Sequence, residues 1–98
     1  MAEVRLSPAA EADLEDIDGF GGDAFGSEVA DRYSRGFREV FDLLRRHPQT
    51  GVRQPGLGRG VRSTPHRSHR IFYEVDGEVV LVLRIFHHAR NLKPSLLK

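Results

Sequence analysis

Apolar side chains recur every three or four residues through the first half of the chain and every second residue through much of the second half, so helices are expected first and strands after. Glu3-Val4-Arg5-Leu6 alternates polar and apolar positions and stops at Ser7-Pro8, which predicts a short opening strand. Ser7 has the chemistry of an N-cap, and Pro8 follows at the first helical position, where its missing N–H costs nothing. Glu11, Asp13, Glu15 and Asp16 suit the positive end of the helix dipole, and Ala10, Leu14 and Ile17 share one face, predicting a helix from Pro8 to about Asp18. Ala30, Tyr33, Phe37, Val40, Phe41 and Leu44 continue the three-and-four spacing over several turns. They predict a second helix from Glu28 to Arg46, with Ser27 as its N-cap, Arg45, Arg46 and His47 at its negative end, and Pro48 closing it.

Between the helices lies GFGGDAFG, residues 19 to 26. A phosphate-cradling loop of this kind should follow a strand and end in Gly-Lys-Ser/Thr, and this one does neither. The stretch is expected to be an inter-helix turn with glycines at positive φ and with Phe20 and Phe25 tucked into the core. Two amphipathic helices so joined form an antiparallel hairpin with one shared apolar face.

Residues 48 to 60 hold two prolines and four glycines and read as a loop; Val61 to Pro65 reads as a short strand. HRIFYEVDGEVVLVLRIFHHAR, residues 69 to 90, reads as a hairpin. With Asp76-Gly77 central in a type I′ turn, Val75 faces Glu78, Tyr73 faces Val80, Ile71 faces Val82 and His69 faces Arg84. One face then carries Ile71, Tyr73, Val75, Val80, Val82 and Phe86. The other carries Phe72, Val79, Leu81, Leu83 and Ile85, with Arg70 and His87 at the same end. A sheet that is apolar on both faces needs cover on both, and two helices supply one layer. The remaining strip predicts a protein partner or a second copy of the chain. The order β-α-α-β-β-β implies an α+β fold, a helical hairpin packed on one face of a small, mostly antiparallel sheet.

Composition adds bounds. Ninety-eight residues suit one domain over 1–98, with 30 % charged and 39 % hydrophobic residues, as in globular proteins. The chain has no cysteine, hence no disulfide or thiolate metal site, and a reducing, cytoplasmic setting is expected. No signal peptide or membrane span is expected from the apolar runs. The net charge of +1 hides a division: residues 1 to 47 carry 11 acidic and 6 basic groups, whereas residues 48 to 98 carry 3 and 9, together with four of the five histidines. An acidic partner is expected to meet the second half.

LSPAAEADLEDI, the long helix with ADRY, the RRHPQTG break and the HRIFY hairpin, taken in that order, resemble the ParE branch of the ParE/RelE toxin superfamily over nearly the whole chain. The resemblance implies the toxin of a type II toxin–antitoxin pair, neutralised by a ParD-like antitoxin whose flexible acidic segment wraps it. RelE-type members cut messenger RNA on the ribosome, holding the scissile phosphate with basic side chains. By that resemblance Arg70 and Arg90 occupy arginine positions of the RelE site, while its two lysines fall on Val61 and Ser63 and its C-terminal tyrosine on Leu96. His87 and His88 are the remaining proton-transfer candidates, yet neighbours in a strand point to opposite faces and should not share a site. ParE-type members instead poison DNA gyrase without chemistry of their own. On that reading no catalytic set, cofactor or metal is expected, nor sequence-specific DNA binding by the toxin alone. Arg62, Arg67, Arg70, Phe72, Leu81, Leu83, Arg84 and Arg90 become contacts to target or antitoxin.

Overall fold

The computed structural model describes residues 1–88 and 94–97. Two helices lie on one face of a five-stranded sheet of order β1-β5-β4-β3-β2, the expected α+β architecture. Strand β1 (Glu3–Leu6) runs parallel to β5 (Val79–His87), and β2 (Val52–Arg53), β3 (Val61–His66), β4 (His69–Asp76) and β5 are antiparallel in turn. Strand β2 was not foreseen; it is two residues paired to Arg62 and Ser63 inside the predicted loop.

Helix α1 (Pro8–Phe25) starts where expected: the Ser7 hydroxyl accepts the Ala10 N–H at 3.0 Å. It runs seven residues beyond the predicted end at Asp18, through the glycine stretch. Glycine costs about 1 kcal/mol against alanine inside a helix. Gly21 has a packing reason to be there, since an added Cβ would lie 3.3 Å from the Cβ of Ala30 in the facing helix. The reversal falls on one residue, Gly26, at φ 88°, whose N–H closes α1 on the Gly22 carbonyl at 3.1 Å. Helix α2 (Ser27–Arg46) therefore takes Gly26, not Ser27, as its N-cap. Phe20 and Phe25 are not in the core: they are 71 % and 66 % exposed and meet edge to face at the tip of the hairpin.

The hairpin register differs from the sequence expectation. Asp76 pairs with Val79, Val75 with Val80 and Tyr73 with Val82, so Gly77, at φ 58°, and Glu78 form the two-residue loop. Past Tyr73 the register shifts again, Phe72 pairing with Arg84 and Ile71 with Ile85. Leu83 is left over as a β-bulge, and the bulge reverses which face every later residue meets. Ile85 joins Ile71, Tyr73, Val80 and Val82 beneath Phe37, Phe41 and Leu44 of α2, while Phe86 turns to the opposite face beside Phe72.

That opposite face is covered in part by the chain itself. Val61, Phe72 and Phe86 are buried there under Leu57, from a 3-10 turn at Pro55–Leu57, and under Leu96 and Leu97, from another at Pro94–Leu97. The expectation that only a partner or a second copy could cover this strip is thereby corrected.

Beyond Leu6, strand β5 has no neighbouring strand on its outer edge among the described residues, and side chains at the start of α1 supply partners. Ser7 donates its hydroxyl to the Leu83 carbonyl at 2.7 Å, and the Asp13 carboxylate accepts the Ile85 N–H at 2.9 Å. The exposed end of an edge strand is thus satisfied by two side chains.

Candidate functional site

The residues singled out from sequence are distributed over both sheet faces and fall into three groups. Arg62 is half-buried and donates from Nη1 to the carbonyls of Gln49 and Gly51 at 3.2 and 2.9 Å, holding the entry to β2. Arg67 sits exposed in the β3–β4 turn at φ 51°. Arg70 is exposed and reaches the Ser63 hydroxyl at 3.4 Å, a hydroxyl that also accepts from Gln54 at 2.9 Å. Arg90 lies outside the described residues.

The second group is engaged within the fold. Phe72 is 1 % exposed, and Leu83 packs beside it. Leu81 is half-buried on β5. Arg84 forks onto Asp13 with Nε and Nη2 at 2.8 and 2.9 Å, donates from Nη1 to the Leu96 carbonyl at 3.1 Å, and stands 4.5 Å over the Phe86 ring. The hydrogen bonds from Asp13 raise the Arg84 pKa further above its ordinary value. As a guanidinium already holding a carboxylate, Arg84 joins α1, β5 and the C-terminal turn.

The third group is a histidine cluster at the opposite end of the sheet from the β4–β5 turn. His66 and His69 pair across β3 and β4, and His69 pairs with His87 across β4 and β5. Strand β5 ends at His87, so His88 is free of strand geometry: its N–H bonds the Ser68 carbonyl at 2.8 Å, and its ring lies 4.5 Å from that of His87. The expectation that His87 and His88 point apart is corrected by that strand end. Tyr33 of α2 reaches the cluster with Oη 2.7 Å from His69 Nδ1, and its backbone carbonyl is 3.1 Å from His66 Nε2. Burial, aided by the charges of His87, His66 and His88, lowers the His69 pKa below that of a free imidazole. Among the described residues no three His, Cys, Asp or Glu side chains are arranged to hold a metal ion.

His69, His87 and Tyr33 form one wall of an apolar groove of about 260 Å³, whose other wall is Ile17, Phe20, Phe25 and Val29 from the helical hairpin. Sequence reasoning missed this groove because it placed both phenylalanines inside. The available signal was the His66-Arg67-Ser68-His69 spacing, in which a two-residue turn sets both histidines side by side.

A helical hairpin on one face of a five-stranded sheet, with an exposed aromatic tip and a basic second half, defines a small α+β protein with apolar and cationic surface left open. The chain belongs to the ParE toxin family: the model described as "ParE toxin of type II toxin-antitoxin system, parDE" matches residues 4–92. It is 33 % identical over 96 residues to Toxin ParE1 of Caulobacter vibrioides, covering 98 % of this chain and 99 % of that one. Toxin ParE1 of Mycobacterium tuberculosis is likewise 33 % identical, over 92 residues, covering 93 % and 94 % of the two chains. Among solved structures, a chain of the chromosomal ParDE toxin–antitoxin system from P. aeruginosa superposes with a TM-score of 0.76 at 26 % identity, over 89 % of this chain and 96 % of that one. A chain of the RelBE2 complex from M. tuberculosis shares the fold, with a TM-score of 0.64 at 24 % identity, over 89 % and 98 %. Among the described residues no helix is long and apolar enough to cross a membrane.

Proposed function

We propose that this type II toxin acts by inhibiting DNA gyrase, without bond chemistry of its own, and that a ParD-like antitoxin holds it inactive. The observation that carries this reading is the state of the sheet face on which RelE-type relatives hold RNA. Val61 and Ser63 stand at the lysine positions and are buried in this chain, at 3 % and 1 % exposure. Leu96 stands at the tyrosine position and packs over Phe72 and Phe86. A face filled by its own apolar side chains has little room for a phosphate and few groups to stabilise its charge. The antitoxin takes the uncovered surfaces: apolar anchors in the Phe20–Phe25 groove, and acidic residues against Arg67 and Arg70.

The test is purified toxin added separately to a gyrase supercoiling reaction and to a cell-free translation reaction. Loss of supercoiling with intact messages is expected. Cleaved messages with unimpaired supercoiling would replace this reading with ribosome-dependent RNA cleavage using Arg70, Arg90, His87 and His88. Inactivity in both assays, with the antitoxin still bound, would make the chain a partner-binding relative.

A further inference from the structure

We infer that the loop between β2 and β3 forms a second, independent binding site, a groove that holds the phosphodiester backbone of nucleic acid without reading its sequence. Arg53 and Arg62 are directly opposite each other in the two-residue β2–β3 pairing. Like charges facing across a sheet are unfavourable unless something neutralises them. Arg59, from the turn that joins the two strands, completes the set, and all three line one open groove of about 740 Å³. None of its ten lining residues is acidic. Among the described residues the carboxylates within ion-pair distance of an arginine serve Arg5, Arg45 and Arg84, which leaves these three without a counter-charge.

The shape favours a backbone of phosphates over an acidic peptide. Gly60 and Gly77 stand in the groove wall with open space where a Cβ would be, so a ligand can approach the main chain closely. Among the described residues the only apolar side chains of the wall are Pro55, Val61 and Val75, whereas a bound peptide draws most of its affinity from large apolar or aromatic anchors. In this protein those anchors are at the other end, on Phe20 and Phe25. Gln49, Val75 and Gly77 also border an adjoining depression lined by Arg46 and His47, so the basic track continues past the loop. Asp76 and Glu78 flank Gly77 in the chain and are exposed, but neither lines the groove or the adjoining depression.

The site does not depend on which target the toxin attacks, and its test needs neither gyrase nor ribosomes. The full-length toxin is titrated into a fluorescent DNA duplex of about 20 base pairs and into the matching single strand, and anisotropy is followed at several salt concentrations from about 20 mM upward. Three phosphate contacts give a slope of log K against log salt of about −3 for duplex. Arg53→Gln/Arg59→Gln should weaken binding about tenfold or more at low salt and reduce the slope to about −1. Arg35→Gln/Arg38→Gln, which removes the same charge from the exposed side of α2, should stay within about twofold of the parent. Circular dichroism shows whether each variant folds. No binding at the lowest salt, or equal loss in both double variants, overturns the site. Displacement of the DNA by polyglutamate of matched charge at lower concentration than by unlabelled DNA assigns the groove to an acidic peptide and overturns the nucleic-acid reading.

Discussion

The Asp13 carboxylate holds Arg84 by two parallel hydrogen bonds and also accepts the backbone N–H of Ile85, so one side chain of α1 satisfies both a guanidinium and the open edge of β5. Both partners are largely shielded from solvent. Asp13→Ala leaves a half-buried cation and an orphaned N–H, and should cost about 2–4 kcal/mol. Asp13→Asn keeps an acceptor for Ile85 and should cost less, about 1–2 kcal/mol. Urea unfolding at constant m separates the two; a loss below about 0.5 kcal/mol for Asp13→Ala would show that the edge is held by other groups.

Tyr73 is fully buried, and its Oη accepts the Gly51 N–H at 2.8 Å. An added Cβ on Gly51 would lie 2.5 Å from that oxygen and 2.8 Å from the Ser63 carbonyl oxygen, and the second is backbone that cannot step aside. Tyr73→Phe should cost about 1–2 kcal/mol through the unsatisfied N–H, and Gly51→Ala about 2–3 kcal/mol through overpacking. Because the two sites touch, the double variant should lose less than the sum, as thermal or chemical unfolding can show. Strict additivity would mean the contact contributes nothing.

The depressed pKa of His69 has a sign. Its neutral form is favoured in the fold, so the unfolded chain binds more protons as the pH falls through the ordinary histidine range, about 6.5. The stabilisation is present in full above that value and is lost as the pH falls toward the folded pKa. Stability of the free toxin should decline on acidification below about pH 6.5, and His69→Gln should flatten that decline. An unchanged acid limb in the variant would assign it to other groups.

Phe20 and Phe25 meet solvent in the free toxin, so replacing both with serine should shift its own stability by about 0.5 kcal/mol or less. If they are the anchors for the antitoxin, the same change should weaken the complex by about 2 kcal/mol or more. Isothermal titration of the double variant with antitoxin decides it, and affinity within about twofold of the parent would exclude the groove from the interface.

Periodicity made the two helices and the central hairpin legible, because Ala30 to Leu44 and Ile71 to Val82 repeat with the spacing of the face they bury. The extension of α1 was hidden because propensity sees Gly19, Gly21 and Gly22 as breakers, while the close approach of Gly21 to Ala30 is a tertiary fact. Asp13 read locally as one more acid toward the N-terminal end of a helix; its partners are 71 and 72 residues away. Of the candidate contacts, Arg67 and Arg70 stand on the surface, but nothing in the local sequence distinguishes them from Arg84, which is bound internally. The Phe20–Phe25 groove was obscured by the assumption that phenylalanine goes inside, which fails at the tip of this hairpin, where both rings are exposed.

The extra residue at Leu83 makes the last strand an exercise in counting. Flatten the bulge with every residue kept, and alternation would run unbroken from Val79: Arg84 would rotate toward the helices, Ile85 would exchange places with Phe86, and Asp13 would lose both partners at once. The bulge in β5 therefore decides which residues meet the helices and which lie under the turn at Pro94–Leu97. Deleting Leu83 would take out the bulge and yet keep Arg84, Ile85 and Phe86 on the faces they now occupy.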